Sequence, residues 1–363
     1  MNLSARKSGY LPTLDGWRAL AVFAVIAYHD RVFGLGRLND GLVHRFGFLG
    51  VDLFFAISGL LICSRLLEEE QRGQGIKLKG FYIRRFLRIL PPATAYLLML
   101  IPLGVLHVIA WSTKAWLAAM FFYRNYYSAW TGTDGISPYT NHFWSLSVEE
   151  HFYLFLPALL ILFPKARGWL LGLVALASLA WTEIVHLVPA LLTKMGGEFA
   201  DRRTEFHLTG IVFAALLAEL LTRAAIRQWC LRWVTPVWTI LGFAIALGIT
   251  HHFGEGFGAR VIVPLAFPLV VLSTVLHPES ILGRGLELAP LRFLGKVSYS
   301  IYLWQQLFFT GSHERAGGVL GYLQWHPFNL IATLACAFAS YYLLEKPFMR
   351  LGHRLAPPAT PGR

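Results

Sequence analysis

The sequence predicts an all-α polytopic membrane protein of about ten transmembrane helices, with an eleventh candidate, and three observations carry that prediction. Of 363 residues, 56% are hydrophobic and only 14% are charged, a balance that soluble domains do not keep. Ten apolar stretches are long enough to cross a ~30 Å hydrocarbon core at about 20 residues each. The basic residues behind a formal net charge of +12 fall mainly between those stretches, where the positive-inside rule and anionic headgroups account for them. Nucleic-acid binding is therefore not expected, and no separate soluble domain fits.

In chain order the predicted spans are 13–31, 46–64, 89–108, 142–163, 169–188, 205–222, 233–250, 260–277, 293–310 and 327–344. The first lacks a small-residue cleavage site, so it is expected to be a retained helix and not a signal peptide. The stretch 115–123 is short and is followed by Arg124-Asn125, which leaves it spanning, re-entrant or interfacial. Charge arbitrates. Leaving it out places about twenty Lys and Arg on the cytoplasmic side against about ten outside. Counting it as a span moves Lys165, Arg167, Arg223, Arg227 and Arg232 to the wrong side. Ten helices with N and C termini cytoplasmic are expected, residues 1–350 forming one transmembrane domain and 351–363 a short disordered tail. Cys63, Cys230 and Cys336 lie singly, without Cys-x-x-Cys spacing, so packing is expected of them and neither a metal site nor a disulfide framework.

Charges inside these oily helices are the candidate site residues, because burying one in a bilayer costs a few kcal/mol unless it faces a polar cavity or a partner. On the first span, Arg18 and His29 are eleven residues apart and return to within roughly 20° of one face, about 16 Å apart along the axis. They could grip two points of one extended ligand; alternatively the Arg snorkels and a backbone carbonyl satisfies the His. The second span carries Asp52 and the pair Ser58-Gly59, read as function for Asp52 and close packing for the glycine. At the entry to the third, Arg84, Arg85 and Arg88 form a basic cluster in which Arg85 and Arg88 share a face, suited to phosphate oxygens or to lipid headgroups. The fourth holds Glu149 and Glu150, which point about 100° apart, so that only one is expected to face a cavity. A carboxylate there could keep His29 basic, as in a general-base pair. Arg203 and Glu205 precede the sixth span. Ser298 and Tyr299 near the start of the ninth offer hydroxyls for helix packing or for a ligand. Glu345 and Pro347 end the tenth, where the Glu is expected to pair with a cytoplasmic Arg and the Pro to stop the helix.

Taken in order, these segments resemble the acyltransferase-3 family of integral membrane acyltransferases, which includes bacterial O-antigen and other glycan O-acetylases. The resemblance rests on Leu14-Asp-Gly-x-Arg18-Ala with Arg18-x10-His29, Gly50-Val-Asp-Leu-Phe-Phe, Arg84-Arg-x-x-Arg88-Ile-x-Pro, Phe143-Trp-Ser-Leu-Ser-Val-Glu-Glu, Ser298-Tyr-Ser-Ile-Tyr-Leu-Trp and Glu345-Lys-Pro347. It implies transfer of an acyl group, commonly acetyl, from cytosolic acyl-CoA to a hydroxyl of a glycan, glycolipid or related acceptor. By resemblance His29 is the essential histidine, Arg18 its paired basic residue, Glu149 the more consistent acid, and Arg85 with Arg88 the donor-binding pair. Arg203-Thr-Glu205 followed by Gly210 resembles an Arg-x-Asp segment with Glu in place of Asp. The chain departs from the pattern at Gln305, where many members have His, and at His151, where many have Gln.

The implied scheme seats the CoA phosphates near Arg84, Arg85 and Arg88, runs the pantetheine arm past Arg18 and brings the thioester to His29, as nucleophile or general base, with Glu149 supporting its charge. No permanently bound cofactor is expected, acyl-CoA being a cosubstrate. Expected partners are acyl-CoA, the hydroxyl acceptor and membrane lipids, with homo-oligomerisation left open. The implied location is the bacterial cytoplasmic membrane. Without the hydrolase-like domain that some members append, the chain is expected to act alone or with a separate partner. A transporter or flippase of an acylated lipid or sugar is the competing reading, with the intramembrane charges as its path.

Overall fold

The computed structural model describes residues 10–29, 49–131, 137–253, 256, 258–309 and 315–357. The outer residues of three predicted spans (30–31, 46–48 and 310) and positions 358–363 of the predicted tail lie outside the described residues. Everything regular among the described residues is helical. In chain order the helices are α1 (Pro12–His29), α2 (Leu49–Glu69), α3 (Leu78–Val105), α4 (Thr113–Met120), α5 (Arg124–Thr131), α6 (Phe143–Leu162), α7 (Arg167–Leu187), α8 (Pro189–Met195), α9 (Thr204–Leu220), α10 (Ala224–Trp233), α11 (Pro236–Phe253), α12 (Val263–Leu276), α13 (Ile281–Leu286), α14 (Ala289–Phe308), α15 (Gly318–Leu323), α16 (Phe328–Ser340) and α17 (Lys346–Leu355).

Among the described residues, five helical stretches are long and apolar enough to cross a membrane by length and composition: Leu49–Gly73, Leu78–Val105, Pro138–Leu162, Arg167–Leu187 and Phe328–Leu355. α9 and α10 pass the same test only together, across a bend of 114°. The outward faces are those of a protein that meets lipid. Trp169 is 85% exposed, Leu187 78% and Leu343 72%, whereas soluble proteins rarely leave contiguous apolar surface uncovered.

Each predicted span overlaps a helix, but several boundaries move for physical reasons. The third helix starts at Leu78 and not near 89, so Arg84, Arg85 and Arg88 lie within its first three turns instead of at its entry. Pro91 and Pro92 sit inside it; lacking N–H groups, they leave the carbonyls of Leu87 and Arg88 without their helical donors. The stretch 115–123 starts within α4 (Thr113–Met120) and runs past its end; α4 is eight residues long, about 12 Å at 1.5 Å per residue and too short to span. Pro347 does not stop the last helix. After a π-helical turn at Tyr341–Glu345 the chain continues as α17, with the proline in the first turn, where no intrahelical donor is needed. The segment from 351, expected as a loose tail, is helical through Leu355, and Arg84 Nη1 donates to the Ala356 carbonyl at 3.0 Å.

α2 is the hub: it packs against α1, α6, α9 and α12. α14 lies along α1, with α16 behind it, and α17 lies along α3. Two glycines permit the tightest of these approaches. A Cβ at Gly59 on α2 would run into the Ile211 carbonyl of α9, and one at Gly295 on α14 into the Asp15 carbonyl of α1; small residues let helix backbones close to van der Waals contact. One apolar core forms around α2, α6, α9 and α12 and another around α1, α3 and α14. The polar cavity opens between them.

Candidate active site

A cavity is lined by Arg18 of α1, Ser58 of α2, Arg85 and Arg88 of α3, Ser145, Glu149 and Glu150 of α6, and Ser298, Tyr299 and Tyr302 of α14, with apolar walls from Val51, Phe54, Phe55, Leu61, Ile62, Ile89 and Leu146. Five helices, separated in sequence by as many as 280 or so positions, thus bring most of the predicted polar residues to one place. Both glutamates face it, contrary to the expectation that only one would. The cavity sits at the junction of five helices, wide enough for its wall to take in two neighbouring directions of α6.

The charges inside are partly balanced. Arg18 Nη1 lies 3.1 Å from Asp15 Oδ1, one turn back on the same helix, and Tyr10 donates to the other oxygen of that carboxylate. Glu149 accepts from Ser58 Oγ at 2.8 Å and from the Tyr153 hydroxyl at 2.9 Å, and its Oε2 is 3.9 Å from Arg85 Nη2. The Arg85 guanidinium also lies over the Tyr153 ring, 3.6 Å from its centroid. The carboxylate expected to support His29 is therefore committed to Arg85. Arg88, one turn on, has no carboxylate within 4.0 Å among the described residues, although Glu345 is within electrostatic reach. Glu345 is 1% exposed and accepts from Ser300 Oγ at 2.8 Å. It is sealed beside the cavity, and the arginine it acts on most is Arg88 of α3. Tyr299 donates to the Ile89 carbonyl at 2.8 Å and Ser298 to that of Gly295 at 2.8 Å, so both carry structural bonds while lining the cavity.

Five predicted residues stand apart from this wall. Arg84 is tied to Ala356 and lies 3.9 Å from Glu69, fastening α3 to the C-terminal helix and to α2. Asp52 faces His207, Oδ1 to Nδ1 3.7 Å. Arg203 pairs with Glu205 at 2.6 Å, and Tyr126 donates to the second Glu205 oxygen at 2.9 Å. Burial first, and then the Glu205 carboxylate, push the Tyr126 phenol up, which keeps it a donor. His29 closes α1. Its Nδ1 is 2.9 Å from the Val25 carbonyl oxygen; a carbonyl only accepts, so Nδ1 is the donor in this contact. The backbone contact of the alternative reading is present, and it orients the imidazole without using its basic nitrogen.

Sequence reasoning passed over Asp15, Ser145, Tyr153, His207 and Tyr302. Two of them had a readable signal, the i, i+3 spacing of Asp15 to Arg18 and the i, i+4 spacing of Glu149 to Tyr153. The others depend on which helices meet. Among the described residues there is no cluster of three His, Cys, Asp or Glu able to hold a metal, and the cysteines are free. Guanidinium groups beside hydroxyls and carboxylates suit an anionic, phosphate-bearing ligand whose other end extends into apolar walls.

A family model described as an acyltransferase domain matches residues 11–345. The chain is 28% identical over 364 residues to the O-acetyltransferase OatA of Staphylococcus aureus strain NCTC 8325, covering 95% of this chain and 58% of that protein. It is 28% identical over 366 residues to the peptidoglycan O-acetyltransferase OatA of Listeria monocytogenes, covering 94% of this chain and 56% of that protein. The chain thus spans somewhat over half the length of these relatives. No solved structure matches it.

Proposed function

The chain belongs to the acyltransferase-3 family, and on that premise we propose that it is an acyltransferase that moves an acyl group, commonly acetyl, from cytosolic acyl-CoA to a hydroxyl of a cell-envelope glycan or glycolipid. The observation that carries the donor half is the cavity in which Arg85 and Arg88 of α3 converge with Arg18 of α1. Phosphate oxygens of CoA would bridge Arg85 and Arg88, the first already positioned by Glu149 and Tyr153, the second with donors to spare. Arg84 is left out of this seat because it ties α3 to Ala356. The pantetheine arm would follow the apolar wall past Arg18 toward His29, α1 being one continuous helix between them.

At His29 the Nε2 lone pair either takes the acyl group or takes the proton of the acceptor hydroxyl. In both cases the thioester C–S bond breaks, an ester C–O bond forms, and the hydroxyl proton ends on the CoA thiol. The peptidoglycan named for the Listeria relative supports a carbohydrate acceptor, and the bacterial cytoplasmic membrane is where cytosolic donor and envelope acceptor meet. The test is label transfer from radiolabelled acetyl-CoA by protein purified in detergent. His29→Ala is expected to abolish turnover with CoA binding retained; Arg88→Ala is expected to weaken CoA binding about 10- to 100-fold, the value of one or two charge-assisted hydrogen bonds. Undiminished turnover in His29→Ala would remove the histidine from the mechanism.

A further inference from the structure

Next to Tyr302, whose hydroxyl meets that of Ser145 on the wall of the arginine-lined cavity, lies a histidine that the scheme above does not use. His142 is 3% exposed, yet neither ring nitrogen has a hydrogen-bond partner among the described residues. A neutral imidazole offers one donor and one acceptor. Burying both unmet is costly, and packing alone does not explain it. The ring stands in an aromatic frame, edge-to-face with Tyr96 at 5.2 Å and with Tyr302 at 5.6 Å between centroids.

A second unmet group is carried by α14, the helix whose Tyr302 meets His142. Gln305 is fully buried, its Oε1 has no partner among the described residues, and its Nε2 reaches only Gln306 at 3.5 Å. It lies three residues after Tyr302 on α14, on the same helix face one turn on. Trp304 Nε1, whose ring meets Tyr96 at 5.5 Å, is also without a partner among the described residues. His29 is near enough to act on His142 electrostatically, and its helix α1 runs along α14. Unmatched donors and acceptors, aromatic faces and no carboxylate in contact with His142 describe a place for a neutral ligand rich in hydroxyls, as a sugar ring is.

We propose that His142 and Gln305 form the subsite that holds the carbohydrate acceptor beside His29, on the opposite side of Tyr302 from the arginines. This rests on the acyl-transfer reading and adds the acceptor's place to it. Donor and acceptor would then approach His29 from two compartments parted by the Ser145–Tyr302 contact.

The experiment uses the purified full chain, labelled acetyl-CoA and N-acetylglucosamine as the acceptor probe. It reads the half-saturating sugar concentration, acetyl-CoA hydrolysis without sugar, and CoA affinity. His142→Ala and Gln305→Leu are each expected to raise the half-saturating sugar concentration at least tenfold, with CoA affinity within twofold of wild type. His142→Gln, which keeps a donor and an acceptor, is expected to stay within about threefold, and it carries the test if the alanine variant does not fold. An unchanged sugar dependence overturns the subsite, as does a parallel fall in CoA affinity, which marks a packing role. Wild-type protein that hydrolyses acetyl-CoA but never acylates the sugar overturns it too. Wild-type protein that neither binds nor consumes acetyl-CoA overturns the donor reading first and the subsite with it.

Discussion

Glu149 shows at the scale of one residue how charge and hydrogen bonding divide the work of a buried site. Its carboxylate accepts one hydrogen bond from Ser58 and one from Tyr153, and stands opposite Arg85. Removing a hydroxyl leaves the ion pair in place, so Ser58→Ala is expected to cost about 1 kcal/mol. Removing the carboxylate strands a guanidinium whose side chain is only 13% exposed, and Glu149→Ala is expected to cost about 3–5 kcal/mol. Thermal unfolding in detergent distinguishes the two; equal losses would mean that Arg85 finds another counter-charge. Arg88 belongs to the other class, a cation near the cavity whose balance comes from a distance, which is what a seat for a phosphate needs.

Between α1 and α14 the deciding feature is the absence of a side chain. At Gly295 the helices are so close that a Cβ would meet the Asp15 backbone. The same approach brings Arg18 of α1 and Ser298, Tyr299 and Tyr302 of α14 into one wall of the cavity. Gly295→Leu is therefore expected to force the two helices apart, because the obstacle is backbone and cannot rotate away. The expected outcome is poor recovery of folded protein, or folded protein that has lost CoA binding. Gly285, which has open space around its Cβ position, is the control, and Gly285→Ala is expected to leave both unchanged. A Gly295→Leu variant that binds CoA normally would show that α1 and α14 can separate without opening the site.

For the molecule as a whole, charge and hydropathy still assign sides that the helix bundle alone does not. Among the described residues, five stretches meet the length and composition of a span, and α9 with α10 meet it only as a bent pair. The first helix has the length, 18 residues, but Asp15, Arg18 and His29 hold its hydropathy below that of a span. It nevertheless packs against α2, α13 and α14 as an interior element. The charge distribution predicts cytoplasmic termini, and on that prediction single cysteines at Lys194 are expected to react with a membrane-impermeant maleimide on intact cells, and cysteines at Lys165 or Arg284 only after permeabilisation, in a background without Cys63, Cys230 and Cys336. Labelling of position 165 from outside would reverse the assignment.

Composition and the period of the apolar stretches determined the all-helical membrane class, because lipid leaves the backbone few ways to satisfy its hydrogen bonds. Ordered motifs then identified the family, and helical spacing placed Arg85 with Arg88 on one wall, since that relation is local to one helix. The tertiary structure alone decided that Glu149 serves Arg85, that Arg84 fastens α3 to the C-terminal helix, and that Glu345 is sealed beside the cavity. It also decided that His142 is left with two unmet nitrogens. Each of these depends on contacts between segments far apart in the chain, set by how closely small residues let particular helices approach, and neither spacing nor composition along one helix specifies its neighbours.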